Sequence, residues 1–176
     1  METKLLPTVV LCIGAPASGK STWSTNFTSD YKDWVRLSRD ELRYMLRNEG
    51  FLSPKLEKVV SEIMDRSLEL LIESGQDVII DNTNVKLSYI NKFLAIIGDK
   101  ANATYKVFDF PLEELIKRDS LRERKVGEEV IKTMYENLQT LKQNNKCKEC
   151  SDDSYYHCDA CGDSRIVIAG MKPFIG

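Results

Sequence analysis

The stretch VVLCIGAPASGKSTW, residues 9–23, decides the fold of this 176-residue chain. Its apolar beginning predicts a buried β-strand over Thr8–Ile13, which is followed by small residues. Gly14–Ser21 satisfies the pattern G-x-x-x-x-G-K-[S/T], a glycine-rich loop between a strand and a helix. Backbone N–H groups of such a loop and the positive end of the following helix cradle phosphates. The sequence therefore predicts a phosphate-binding loop for ATP.

Each position of this loop has an expected task. Lys20 is expected to reach the β- and γ-phosphates, and the Ser21 hydroxyl to bind Mg²⁺. Thr22 supplies a second hydroxyl near the nucleotide. A chance match to a short pattern is the alternative, but the strand before the loop and the helix after it favour phosphate binding. The other expected ATP contacts are Gly14, Ala15, Pro16, Ala17, Ser18 and Gly19.

Strands and helices alternate along the rest of the chain. This alternation predicts a single α/β domain over residues 1–176, in which a central parallel sheet has helices on both faces. Further strands are predicted at 34–37, 76–81 and 103–110. Helices are predicted from about residues 20, 38, 54, 87, 111 and 127, of which 54–74 has the clearest apolar periodicity.

The composition is that of an ordinary soluble chain. It has 25 basic and 27 acidic residues, so any affinity for nucleic acid must come from a local patch. No apolar run approaches the roughly 18–20 residues that span a membrane, and the N-terminus lacks the features of a signal peptide. We interpret the chain as a cytoplasmic protein of a bacterial or phage-infected cell that does not bind membranes.

An acidic residue ends the predicted strand at V-I-I-D, Val78–Asp81. An apolar strand that ends in aspartate is typical of a carboxylate that supports Mg²⁺ beside a phosphate loop, and we predict this role for Asp81. A solvated strand end is the alternative. The next two residues, Asn82 and Thr83, are candidate substrate contacts.

The segment Ser38–Arg43 indicates what the phosphate is transferred to. Ser38 and Glu41 have the spacing of a helix-capping box. Asp40 and Arg43 then share a helix face, where the carboxylate could accept the proton of an alcohol and the arginine could hold a neighbouring phosphate. Arg39 extends the positive surface and is a further candidate substrate contact. An ordinary capped surface helix is the alternative.

The run KRDSLRERK, Lys117–Lys125, is strongly basic. Such a segment late in a small kinase can form a lid whose arginines neutralise charge on the transferring phosphoryl group. Arg118 and Arg122 are four residues apart and would project together from a helix, so both are predicted to contact ATP. A solvated helix face is the alternative.

Taken in order, IGAPASGKSTW, LSRDELR, VIIDNTN, KVFDFPLEELIKRDSLR and VIKTMY resemble the kinase domain of phage-type polynucleotide 5′-kinases, over about residues 7–142. The resemblance implies a P-loop kinase fold. It also implies that Asp40 is the general base and that Arg43 holds the phosphate 3′ to the reacting nucleoside. It implies phosphate-loop roles for Lys20 and Ser21, and makes Arg122 the lid arginine that contacts the transferred phosphate. The chain differs in placing the acid Asp81 one step earlier than the phage pattern.

Four cysteines crowd near the C-terminus in two C-x-x-C pairs. Four thiolates match a closed structural Zn²⁺ site, with two disulfides or a redox pair as alternatives, and His157 could replace one cysteine. We predict a small zinc-binding hairpin, an insertion at 146–163 before a last strand near 165–169. The predicted zinc ligands are Cys147, Cys150, Cys158 and Cys161.

Together these features predict an ATP- and Mg²⁺-dependent kinase that phosphorylates a hydroxyl of a nucleic acid, most of all the 5′-OH of DNA or RNA. One alternative is a P-loop kinase that acts on a hydroxymethyl group of a modified base in DNA. An alternative of another class is an ATP-gated module that binds nucleic acid or protein without transferring phosphate. The oligomeric state is left open.

Overall fold

The computed structural model describes residues 6–50, 52–148 and 167–174. The strands are β1 (Thr8–Ile13), β2 (Trp34–Leu37), β3 (Asp77–Ile80), β4 (Asn102–Val107) and β5 (Lys172–Pro173). The helices are α1 (Lys20–Asp30), α2 (Arg39–Arg47), α3 (Pro54–Glu73), α4 (Leu87–Ile97), α5 (Leu112–Ser120) and α6 (Glu128–Asn144).

The strands form one parallel sheet in the order β2-β3-β1-β4-β5. Leu11 of β1 and Leu37 of β2 both pair with Ile80 of β3. Because the strands are parallel, the segments that follow β1, β2 and β3 all start at the same edge of the sheet, where ligands bind in open α/β sheets. The predicted α/β architecture is confirmed.

The two faces of the sheet are packed differently. Successive residues of a strand point to opposite faces, so Val9, Leu11 and Ile13 pack against α3, α4 and α6 in the larger cluster. Val10 and Cys12 point to the other face, which has a smaller cluster. There, α1 supplies Trp23 and Phe27, and Trp34, Phe108 and Phe174 complete an aromatic layer. Helices therefore cover both faces, as predicted.

The helix starts near the site follow local capping rules. The Ser38 Oγ accepts a hydrogen bond from the Glu41 N–H at 3.5 Å, which confirms the predicted cap of α2. Ser53 caps α3 in the same way, and Pro54 occupies its first position. Because Ser38 directly follows β2, α2 starts at the carboxyl edge of the sheet.

The last strand differs from the prediction at 165–169. Residues 167–169 are not in a strand, and β5 instead pairs Lys172 and Pro173 with β4. Ile168 is buried in the main core, and Gly170 adopts a left-handed conformation with φ of 79° that turns the chain toward the sheet edge. Ile168 therefore packs into the core ahead of the strand, while Val167 is exposed.

The predicted zinc hairpin falls almost wholly outside the described residues. Of its four cysteines only Cys147 is described, and that side chain is buried. Within the described ranges no group of three or more potential metal ligands occurs. The Zn²⁺ site stays a prediction.

No helix in the described part of the chain combines the length and the apolar character needed to cross a membrane.

Candidate active site

The phosphate loop joins β1 to α1 in a conformation that depends on its glycines. A Cβ at Gly14 would lie 2.6 Å from the carbonyl oxygen of Phe108, so no larger residue fits there. Gly19 has a φ of 88° and caps α1 without a side-chain hydrogen bond, which leaves the N–H groups of the helix start open. This open N-terminus, with the exposed hydroxyls of Ser21 and Thr22, is the anion site that the sequence predicts.

Lys20 is buried beneath this loop. Its Nζ donates hydrogen bonds to the Ala15 carbonyl oxygen at 2.7 Å and to Ser18 Oγ at 3.2 Å. Burial lowers the pKa of the ammonium to about 8, while the nearby carboxylates of Asp81 and Asp40 act in the opposite direction. The hydrogen-bond acceptors of Lys20 are thus neutral oxygens, which leaves its positive charge available to bind an anion.

We expect ATP affinity to fall as the pH rises above about 8, the pKa of Lys20. Phosphates favour the ammonium form, so ATP binding raises this pKa, and above it binding must take up a proton. Calorimetric titrations at about pH 8.5 in two buffers of different ionisation enthalpy measure that uptake. Lys20→Met should abolish it; the same uptake in the variant would contradict the assignment.

Arg122 also lies within electrostatic reach of Lys20 and lowers the pKa of its ammonium. The structure therefore brings together four of the predicted site residues, which come from four different segments: Lys20, Asp40, Asp81 and Arg122.

Asp81 is paired with an arginine that the sequence reading did not single out. Arg36, in β2, donates from Nε at 2.9 Å and from Nη2 at 2.7 Å to Oδ2 of Asp81, whose side chain is 1% exposed. The same Nε also donates to Ser24 Oγ at 3.1 Å. Arg36 compensates the buried carboxylate, which would otherwise be costly.

The residues present fit a Mg²⁺ ion beside a phosphate loop. Ser21 offers an exposed hydroxyl oxygen directly after Lys20, and Mg²⁺ prefers oxygen ligands and keeps several waters. Asp81 is near enough to act on Lys20, but one of its oxygens is occupied by Arg36. Ser21 would therefore hold the ion directly, and Asp81 would support it with its charge, as the sequence predicts.

Asp40 and Arg43 meet on one face of α2, as their spacing predicts. Arg43 Nη1 donates to Oδ1 of Asp40 at 2.5 Å. The Asp40 side chain is 76% exposed, whereas that of Arg43 is 15% exposed. The Asp40 carboxylate is thus accessible to a ligand, while the Arg43 guanidinium bonded to it is largely buried.

Glu57 of α3 holds the arginines of α2 in place. Its Oε1 accepts from Arg43 Nε at 2.8 Å, and its Oε2 accepts from Arg43 Nη2 at 3.0 Å and from Arg39 Nη2 at 2.8 Å. Arg39 also donates to Ser61 Oγ at 2.8 Å. The bonds from Arg43, and those from Arg39, lower the pKa of Glu57 to about 2. One carboxylate therefore orients both predicted acceptor arginines.

The residues after β3 form hydrogen bonds to both α2 and the phosphate loop. The Asn82 side-chain oxygen accepts a hydrogen bond from the Arg39 N–H at 3.1 Å, and the Thr83 carbonyl accepts one from the Gly14 N–H at 2.9 Å. Asn84 donates to the Cys12 carbonyl at 2.8 Å and has a left-handed φ of 46°. The described contacts of Asn82 and Thr83 thus position neighbouring segments, and their substrate contacts stay predictions.

The basic segment differs from the predicted helical face. α5 ends at Ser120, so Arg118 and Arg122 do not project from a common helix. Arg118 bonds to Glu114 at 2.8 Å and lies over the ring of Phe110, 4.1 Å from its centroid. Arg122 lies in the loop between α5 and α6, which we call the lid loop (residues 121–126). The structure therefore does not bring the two arginines together, and the predicted ATP contact of Arg118 stays a prediction.

Asp119 organises the lid loop. This carboxylate is buried at the end of α5 and accepts hydrogen bonds from the N–H of Val126 at 3.0 and 3.1 Å and from that of Gly127 at 3.1 Å. Arg122 Nη1 lies 3.9 Å from Asp119 Oδ1. The Asp119 side chain thus ties the end of the lid loop back to α5, and it lies within ion-pair distance of Arg122.

We expect Asp119→Ala to lower kcat/KM for ATP about tenfold or more, because it leaves two N–H groups without their charged acceptor and frees the lid loop. Asp119→Asn keeps an acceptor oxygen and should retain more activity. The exposed lid-loop variant Glu123→Ala is the matched control. Steady-state kinetics at several ATP concentrations measures the effect, and wild-type values for Asp119→Ala would contradict it.

Sequence reasoning therefore missed Arg36, Glu57 and Asp119. Of these, only Asp119 carried a signal, since it is an acid within a basic run. Arg36 and Glu57 stand in ordinary strand and helix contexts, so nothing local distinguishes them.

The family of the chain follows from its similarity to known proteins. A family model described as an AAA domain matches residues 9–141, which include the phosphate loop, Asp40, Asp81 and the lid loop. The chain belongs to this AAA domain family. The match, with the fold described above, makes it a nucleotide-binding protein with a P-loop kinase fold, which implies ATP and Mg²⁺ as cofactors.

Two similar solved structures are chains of one kind of assembly. A chain in the structure of the Pnkp1/Rnl/Hen1 RNA repair complex is 28% identical, with a TM-score of 0.76 over 90% of this AAA domain chain and 53% of its own length. A chain in a structure of the Pnkp1/Rnl/Hen1 complex is 33% identical, with a TM-score of 0.63 over 71% and 43%. This chain therefore spans about half the length of these relatives or less.

A more distant likeness concerns the fold alone. A gluconokinase from Sinorhizobium meliloti 1021 is 16% identical, with a TM-score of 0.53 over 76% of each chain. The kinase-like fold supports a phosphotransferase, and the acceptor must be argued from the site.

Proposed function

We propose that this protein is a polynucleotide 5′-hydroxyl kinase, which transfers the γ-phosphate of ATP to the 5′-OH of DNA or RNA. The observation that carries the proposal is the exposed Asp40 carboxylate beside Arg43, on the helix that starts next to the phosphate loop. The similarity to chains of an RNA repair complex supports a nucleic-acid acceptor.

The proposed transfer uses three groups of the chain. Asp40 accepts the proton of the acceptor hydroxyl while that oxygen bonds to the γ-phosphorus. The bond from the γ-phosphorus to the bridging oxygen breaks, and the electron pair leaves with ADP. Lys20 and Arg122 compensate the negative charge on the transferring group. A Mg²⁺ ion, when bound, neutralises further charge on the phosphates of ATP.

Arg43 and Arg39 are proposed to hold the acceptor backbone. A guanidinium can bind a phosphate through two parallel hydrogen bonds, and the phosphate 3′ to the reacting nucleoside is the nearest anion of the acceptor. Arg43 donates from Nε and Nη2 to Glu57 and from Nη1 to Asp40, and these hydrogen bonds hold its guanidinium in place. The acceptor phosphate would accept a hydrogen bond from Arg43 Nη1, which also donates to Asp40.

The decisive experiment is transfer of labelled γ-phosphate from ATP to a 5′-OH oligonucleotide, beside an identical strand that already carries a 5′-phosphate. We expect label on the first strand only. Label on neither strand would overturn the proposed acceptor, and label on both would place the phosphate elsewhere in the strand. Running the assay with both DNA and RNA strands defines the preferred acceptor.

A further inference from the structure

We propose that Tyr44 and Arg124 form a stacking platform for the terminal nucleobase of the acceptor strand. The inference rests on the proposed function and adds to it a contact that the phosphate loop, the acceptor arginines and the lid arginine do not provide. It assigns a task to two residues to which neither the sequence analysis nor the transfer chemistry gives an individual role.

The platform is a cation–π stack between Arg124 of the lid loop and Tyr44 of α2. The guanidinium carbon of Arg124 lies 3.6 Å from the centroid of the Tyr44 ring, which is the distance of a direct stack. Arg124 is exposed and Tyr44 is half-buried. One side of the planar guanidinium therefore rests on the ring, and the exposed arginine can offer its other side to a ligand.

The tyrosine of the platform lies on the same helix as the proposed general base. Tyr44 follows Asp40 by four residues on α2, so the two side chains share a face about 6 Å apart along the axis. That spacing is comparable with the length of a nucleoside from its 5′ oxygen to its base. Arg124 follows Arg122 by two residues in the lid loop. A nucleoside whose hydroxyl meets Asp40 and which extends along α2 toward Tyr44 would place its base against the stack.

The chemistry of the pair suits a nucleobase of any sequence. Unpaired bases stack on aromatic rings and on arginine guanidinium planes, and such stacking tolerates every base because each has a π-face. A base placed on the exposed side of Arg124 extends the existing Tyr44–Arg124 stack to three layers. The platform should thus distinguish a base from no base, rather than one base from another.

The test compares two acceptor strands that differ only at the 5′ terminus. One carries a normal nucleoside, and the other carries an abasic tetrahydrofuran residue with the same 5′-OH. We expect the wild type to show a KM about fivefold or more lower for the strand with the base. Tyr44→Leu, which removes the ring, and Arg124→Lys, which keeps the charge but removes the plane, should bring the two KM values together.

Two control variants complete the design. Tyr44→Phe keeps the aromatic ring and should preserve the preference for the base. Met45→Ala alters the neighbouring exposed residue of α2 and should also preserve it. Because the comparison is a ratio within each variant, a general loss of stability or of lid closure cancels.

Each outcome decides between a base platform and a simple latch of the lid loop. If Tyr44→Leu lowers turnover of both strands equally and keeps their ratio, the stack only holds the lid, and the proposal is overturned. A wild type that phosphorylates both strands with equal KM also overturns it, while the proposed function stands. No transfer to either strand by the wild type would overturn the proposed function, and the platform with it.

Discussion

Asp40→Asn is expected to lower kcat for phosphoryl transfer by about 10²- to 10⁴-fold, the contribution of a positioned general base. Asparagine has nearly the same shape and can still accept the 2.5 Å hydrogen bond from Arg43, but it cannot take up the proton of the acceptor hydroxyl. The loss should therefore appear in the chemical step. Single-turnover kinetics with a 5′-OH oligonucleotide measures it.

ATP binding should change little in the same variant, because Asp40 reaches Lys20 only through its charge. Equilibrium titration with ATP checks this separately. The matched control is Glu41→Gln, which removes the neighbouring exposed carboxylate of α2 and its 3.7 Å contact with Arg36. Transfer by Asp40→Asn at the wild-type rate would remove Asp40 from the mechanism.

Glu57→Gln is expected to lower kcat/KM for the acceptor by about 10- to 100-fold, the range that follows from losing charged hydrogen bonds. Glu57 receives bonds from both Arg43 and Arg39, so a single neutral side chain loosens both acceptor arginines at once. The KM for ATP should stay near the wild-type value, since Glu57 is not among the groups that act on Lys20. Glu62→Gln, an exposed change on the same helix, is the control.

The same variant should alter the pH dependence of stability. The pKa of Glu57 falls from its ordinary 4.5 to about 2 on folding. Its ion pairs therefore contribute fully to the free energy of unfolding above pH 4.5, and this contribution is lost as the pH falls through about 2. Denaturant titrations should show the wild type more stable than Glu57→Gln near neutral pH, with the difference narrowing in acid. A difference that is independent of pH would mean that the charge of Glu57 is not what matters.

The sequence by itself was sufficient for the local features of this protein. The strand-loop-helix of the phosphate loop, the Ser38 cap and the Asp40–Arg43 pair all join residues that are neighbours in the chain. The dimensions of a helix or a turn are fixed, so the spacing of two residues within it determines where their side chains lie relative to each other, whatever the rest of the fold. The alternation of strands and helices similarly determined a parallel sheet.

Where that local reasoning failed, a buried group had intervened. Arg118 and Arg122 have the spacing of one helix face, but the Asp119 carboxylate binds the N–H groups of Val126 and Gly127 and the helix ends between the two arginines. Likewise, Ile168, within the segment predicted as the last strand, is buried in the main core, and the described strand is Lys172–Pro173. A local pattern cannot report such competition for buried space or for hydrogen bonds.

Only the tertiary structure decided how the site is held together. Arg36 meets Asp81 across 45 residues, Glu57 meets Arg43 across 14, and Arg124 reaches Tyr44 from the lid loop. In each case the two partners belong to different elements, so their contact depends on the register of the sheet and the packing of helices. The sequence by itself thus predicted which groups carry the chemistry, and the packing determined which other groups contact them.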